Sequence, residues 1–154
     1  MRTFQDNAGR TWSVSVTVDA VKRVRDLLKE DLLDVEQVLP RLLVDPILLC
    51  DCIYCVCKPQ ADAENVSDVD FGRAMAGDAI ARAKAALIEE LVDFFPEPSQ
   101  RQTLRLAVAK HGKLSARVAE ALKARLERDE LPREIEAALS ELGGSFTSLP
   151  ASSA

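Results

Sequence analysis

A chain of 154 residues is long enough for one domain with a real core, and 47% apolar against 29% charged residues is a globular balance, not a disordered one. Its net charge of −5 opposes a general affinity for nucleic acid or for an anionic membrane surface, both of which call for a basic protein. With aromatics at 5%, the core falls to Leu, Val and Ala, which suit packed helices better than a β-sandwich.

The N-terminus reads as a β-hairpin. Thr3 to Asp6 is one short extended run, and Thr11 to Val16 alternates apolar and polar residues with the period of a half-buried strand. Asn7-Ala8-Gly9-Arg10 lies between them, with Asn and Gly suited to positive φ, and Phe4 and Trp12 then share a face. Thr17 or Asp19 caps a helix whose apolar positions are Val18, Val21, Val24 and Leu28. A short helix follows over 35–43, with Pro40 expected to kink or split it. Asp45-Pro46 then reads as an N-cap with proline at the first helical position. The helix it opens, 46–57, is apolar almost all round, as a central buried element would be, and Lys58-Pro59 ends it. Residues 60–66 read as a turn.

Ser67 to Asp70 resembles a capping box with Asp in place of Glu or Gln, opening a short helix that carries Phe71, Ala74 and Met75. Gly77 breaks it. A longer helix restarts at Asp78 with the stripe Ile80, Leu87, Ile88, Leu91, Val92 and Phe95, and Pro96-Glu97-Pro98 stops it. Ser99 and Gln102 are placed to box the start of the next helix, whose seam is Leu104, Val108, His111, Ser115, Val118, Leu122 and Leu126, with Gly112 expected to kink or split it. Leu131-Pro132 opens a last amphipathic helix with Ile135, Leu139 and Leu142, which Gly143-Gly144 ends. The expected fold is α+β and predominantly α: a hairpin-plus-helical core domain over 1–96, a helical C-terminal arm over 97–144 and a disordered tail over 145–154.

No arrangement for chemistry stands out. Cys50, Cys52, Cys55 and Cys57 are the densest signal, but zinc usually draws its thiolates from separated knuckles. On one helix Cys50 and Cys57 share a face and Cys52 and Cys55 point roughly the other way, so the cysteines read as small core hydrophobes. His111, the single histidine, has no Ser-His-Asp or Cys-His unit around it. Glu89-Glu90 and Asp68/Asp70 are explained by solvated faces and helix N-termini. Arg101, Arg105, Lys110, Lys113, Arg117, Lys123, Arg125 and Arg128 make one stretch basic, read as a solvated helix face, with no aromatic platform for single strands. Neither catalysis nor a cofactor nor a metal is expected. The first ten residues lack the apolar core of a signal peptide, and the apolar run 47–57 is too short to span a bilayer, so a cytoplasmic protein without a membrane partner is expected.

Several stretches together carry a resemblance: Thr3 to Trp12 leading into Val16 to Val24, then Val44 to Leu49, Lys58 to Asp62, and Val66 to Ile80. Over roughly the first hundred residues the chain resembles small proteins of prophage-like tail gene clusters, similar to the tail assembly chaperones of long-tailed phages. That resemblance implies a protein that keeps the long, apolar tape measure protein soluble in the bacterial cytoplasm until tail tube subunits polymerise around it. Some members are also made in a longer, frameshifted form. The tape measure protein, with the tail tube protein beside it, is the implied partner; a homo-oligomer is left open. A client with long amphipathic helices needs an apolar helix face to dock on. The residues expected to supply it are Leu104, Val108, Val118, Leu122, Leu126, Ile135 and Leu139. The alternatives are a structural tail component (a tube or connector protein) and, ranked below it, a small DNA-binding regulator.

Overall fold

The computed structural model describes residues 1–128 and 133–147. Arg2–Gln5 (β1) and Thr11–Val14 (β2) pair antiparallel with Phe4 opposite Trp12, both buried on the face that meets the helices. Gly9 takes φ 83° in the connecting turn, where a side chain would strain. Asn7, expected to share that role, has negative φ. Its backbone N–H donates to the Ala74 carbonyl and its amide Nδ2 to the Ala76 carbonyl, pinning the turn to the helices.

Both edges of this small sheet are covered by side chains. Gln60 accepts from the Ser13 N–H and donates to the Thr11 carbonyl, acting as a one-residue third strand, and Arg82 donates to the Gln5 carbonyl. Each of these bonds occupies a backbone group that an added strand would need.

The helix Val18–Leu28 (α1) is capped by Thr17, whose hydroxyl accepts from the Ala20 N–H, and buries Ala20, Val21 and Val24. Val18, expected to face the core, is 59% exposed, because α1 packs through the side that carries Ala20, Val21 and Val24, and at about 100° per residue Val18 lies off that side. Lys29 closes α1 in the left-handed conformation at φ 57°. The helix Val35–Val44 (α2) runs through Pro40 and is not split there. Pro40 and Glu36 are both exposed, so the carbonyl deprived of its partner stays within reach of water.

Pro46–Val56 (α3) packs against both of these helices. Asp45 caps it, accepting from the N–H groups of Ile47 and Leu48. At the other end the Arg23 guanidinium donates to the Cys55 and Val56 carbonyls at 2.8 and 3.0 Å, satisfying groups that a helix C-terminus leaves open. The chain then enters a further helix, Lys58–Ala63 (α4), where a turn was expected. Proline near a helix N-terminus is preorganised for entry, so Lys58-Pro59 ends one helix and starts another.

Asp68–Arg73 (α5) begins as expected. The Ser67 hydroxyl accepts from the Asp70 N–H and donates to the Asp70 carboxylate. The helix ends at Arg73, short of the expected Ala74 and Met75, and Gly77 at φ 53° takes the N-cap position of Asp78–Phe94 (α6), which packs on β1 and α3. Glu90, expected on a solvated face, is buried and ion-paired with the N-terminal ammonium group at 2.8 Å, while Arg2 bridges Glu89 and Asp93.

Pro98–Glu127 (α7) starts one residue before the expected Ser99 cap and passes through Gly112 without a break. Proline suits the first helical position, and one glycine in thirty residues costs only about 1 kcal/mol. Arg133–Thr147 (α8) continues through Gly143-Gly144, expected to end it, and into the first residues of the expected disordered tail. The expected start at Leu131-Pro132 and the tail beyond Thr147 lie outside the described residues.

The fold is α+β and predominantly α, an N-terminal hairpin packed on helices. Two compact units are distinguished, Met1–Arg105 and the residues from Leu106 on. The core of the first gathers Trp12, Val14, Val24, Leu32, Leu42, Leu49, Ile53, Phe71, Leu87 and Leu91 from the hairpin, five helices and the loop before α2. No helix among the described residues is long and apolar enough to cross a membrane.

Candidate protein-binding surface

The contrast between α6 and α7 locates the surface. Seventeen residues of α6 include eight that are buried; the thirty of α7 include none. Ala, Leu, Lys, Arg and Gln, which dominate α7, are strong helix formers, so local propensity supports it where burial does not. At 1.5 Å per residue it spans about 45 Å.

The expected contact residues are set out along it. Leu104 and Val108 are half-buried, while Val118, Leu122 and Leu126 are exposed. Three- and four-residue steps put them on one stripe, which His111 and Ser115 interrupt. On α8, Ile135 and Leu139 are exposed one turn apart, with Leu142 beside them. Each helix thus presents an apolar stripe to solvent, as protein-interaction surfaces do.

Two further apolar residues on α7 are exposed and escaped the seam. Leu114 stands four residues before Val118, so the same spacing rule reaches it once the stripe is drawn wider than one residue. Leu106 points to the opposite side from Leu104, and periodicity gives no signal for it.

The basic stretch divides in two. Arg101 donates to the Phe95 and Pro96 carbonyls and Arg105 pairs with Asp93, so both tie the start of α7 to the end of α6. Among the described residues, Lys110, Lys113, Arg117, Lys123 and Arg125 have neither ion pair nor hydrogen bond from their side chains. The apolar stripe is therefore flanked by cations free to meet a partner's acids.

The cysteines are packed into the first unit. Cys52, Cys55 and Cys57 are buried and Cys50 is half-buried. The Cys57 thiol donates to the Ser13 carbonyl at 3.4 Å. Burial pushes the Cys52 and Cys57 thiols up to about 12 and raises Cys50 and Cys55 as well, with Asp51 adding to both. Among the described residues no group of three or more His, Cys, Asp or Glu is placed to hold a metal ion. Thiols this hard to ionise react slowly. In iodoacetamide labelling at pH 8 followed by mass spectrometry, Cys50 is expected to be modified first, and Cys52 and Cys57 only after denaturation. Rapid labelling of all four in the native protein would contradict this packing.

No family model matches the chain, nor does any curated protein or solved structure.

Proposed function

We propose that this chain is a tail assembly chaperone, acting by binding and not by catalysis, which holds an apolar tape measure polypeptide in the bacterial cytoplasm until tail tube assembly. The resemblance over the first hundred residues supports the assignment. The observation that carries it is the thirty-residue α7, none of whose residues is buried and whose stripe of Val118, Leu122 and Leu126 stands in solvent. Amphipathic helices of a client would lay their apolar faces along that stripe, each fully covered Leu or Val contributing about 1.5–3 kcal/mol. The net charge of −5 would keep such a complex dispersed.

The test is co-expression with the neighbouring tape measure gene. The native chain is expected to raise the client's soluble fraction and to co-purify with it. The double variant Val118→Asp/Leu122→Asp is expected to lose both effects. Its stability cost stays near 1 kcal/mol, the helix-propensity penalty of two exposed aspartates. No complex with the native chain, or full activity of the double variant, overturns the proposal.

A further inference from the structure

A second surface lies on the first unit. Between α3 and α5 a groove of about 340 Å³ is lined by Pro46, Ile47, Cys50, Asp51, Asp68 and Val69, among others. That volume is at the floor of the ~300–1,000 Å³ range of small-molecule sites, and the rim residues Ile47 and Val69 are 71% and 59% exposed. It suits a few side chains of a docking helix.

Its charge is one-sided. Neither Asp51 nor Asp68 has a side-chain hydrogen bond or an ion pair among the described residues. Lys58, which lines the adjoining groove with them, is engaged by Asp62 and lies over the Tyr54 ring. Burial raises the Asp51 pKa, and the neighbouring Asp68 and Asp45 raise it further, so the groove presents uncompensated negative charge.

The matching charge is elsewhere in the same chain. Residues 1–105 carry thirteen basic and eighteen acidic side chains, a net of −5, while residues 106–128 carry six basic and two acidic, a net of +4. On α7, Leu114 and Val118 are one turn apart, with Lys110 four residues before Leu114 and Arg117 three after it. Two apolar side chains flanked by two unpaired cations face the chemistry of two apolar rims flanked by two unpaired carboxylates.

We propose that the α3–α5 groove receives α7 of a second copy of this chain, with Leu114 and Val118 entering beside Ile47 and Val69, and Lys110 and Arg117 meeting Asp51 and Asp68. The contact joins two different patches, so it repeats from copy to copy and builds a ring or an open chain of protomers. Val118 belongs also to the stripe proposed for the client, so the two contacts compete on α7; the groove itself, with Ile47, Asp51, Asp68 and Val69, takes no part in the client reading.

Sedimentation velocity on the purified chain, without client, tests it. Association is expected to rise with protein concentration and to weaken as salt is raised from 0.05 to 0.5 M. Ile47→Asp, at an exposed position where folding is not at stake, is expected to weaken association roughly tenfold or more. Asp51→Lys/Asp68→Lys and Lys110→Glu/Arg117→Glu are each expected to be monomeric alone and to associate when mixed, because the mixture restores opposite charges at both contacts. A monomer at every concentration and salt, association indifferent to Ile47→Asp, or a mixture that stays monomeric despite native circular dichroism of each variant would overturn the proposal. Any of these results leaves client binding untouched.

Discussion

Asp6→Ala is expected to cost the Met1–Arg105 unit about 3–4 kcal/mol, a large share of the ~5–15 kcal/mol that holds a domain folded. Asp6 is 3% exposed, and its two carboxylate oxygens organise the hairpin. Oδ1 accepts from the Ala8 and Arg10 N–H groups, both at 2.9 Å; Oδ2 accepts from Arg10 Nε at 3.0 Å and from the buried Trp12 Nε1–H at 2.9 Å. Alanine would strand the indole N–H where no water reaches it, and release the Arg10 side chain that lies over the Trp12 ring. Asp6→Asn keeps an acceptor and the shape of the turn, and is expected to cost about half as much. The two differ in pH response. Burial would raise the Asp6 pKa, but hydrogen bonds from Trp12 and Arg10, with the Arg10 charge, outweigh it and hold the pKa below 3.8. A carboxylate held below its unfolded value stabilises fully above that value and loses the contribution as pH falls through the folded one. Stability of the native protein should therefore drop below about pH 4 more steeply than that of Asp6→Asn. Urea unfolding at pH 7 and pH 3, read by fluorescence of the single tryptophan, measures both effects. Equal acid loss in the native protein and Asp6→Asn would remove the carboxylate from this role.

Much of this unit can be read in the sequence because local chemistry and tertiary packing agree there. Phe4 and Trp12 do face the same side, and Thr17, Asp45 and Ser67 do cap their helices. The misses occur where a residue serves a distant part of the chain. Gln60 looked like turn material, yet its amide completes the edge of β2 forty-seven residues away from Ser13. Asp6 read as the end of a strand, because the alternation of strand residues carries no sign of a buried carboxylate bonded to an indole. Leu32, fully buried, lies between helices where no periodicity flags it. Gly112 does not split α7 and Gly143-Gly144 does not end α8, since a propensity cost of about 1 kcal/mol stops a helix only when nothing else extends it. The candidate binding stripe was legible in part. Spacing placed Leu104 to Leu126 on one seam but could not say whether a core covers it, and that depends on the rest of the fold.

Phe71→Ala is expected to be the most damaging single change, at about 3–5 kcal/mol. Phe71 is 1% exposed, and its ring meets Trp12 edge-on at 5.1 Å and Tyr54 at 5.4 Å, so one side chain joins the hairpin, α3 and α5. Truncation leaves a void between three elements whose backbones are separately held. Trp12 is anchored through Asp6, and the Tyr54 hydroxyl donates to the Val66 carbonyl at 3.1 Å. Such a site collapses poorly, which places the cost in the upper part of the large-to-small range, with the aromatic contacts adding about 0.5–1.5 kcal/mol each. Phe71→Leu should recover most of the loss. Because Phe71 and Asp6 both position Trp12, the double variant with Asp6→Ala should fall short of the summed single losses by at least ~0.5 kcal/mol. Denaturant unfolding of the four proteins in the cycle decides this, and strict additivity would mean that the tryptophan does not couple them. The same transition, read in one further variant, separates scaffold from surface. Phe71→Ala weakens α5, and with it Asp68 and Val69 on the acidic groove, whereas Val118→Asp/Leu122→Asp alters only side chains already in solvent and should move the tryptophan-reported transition by about 1 kcal/mol at most.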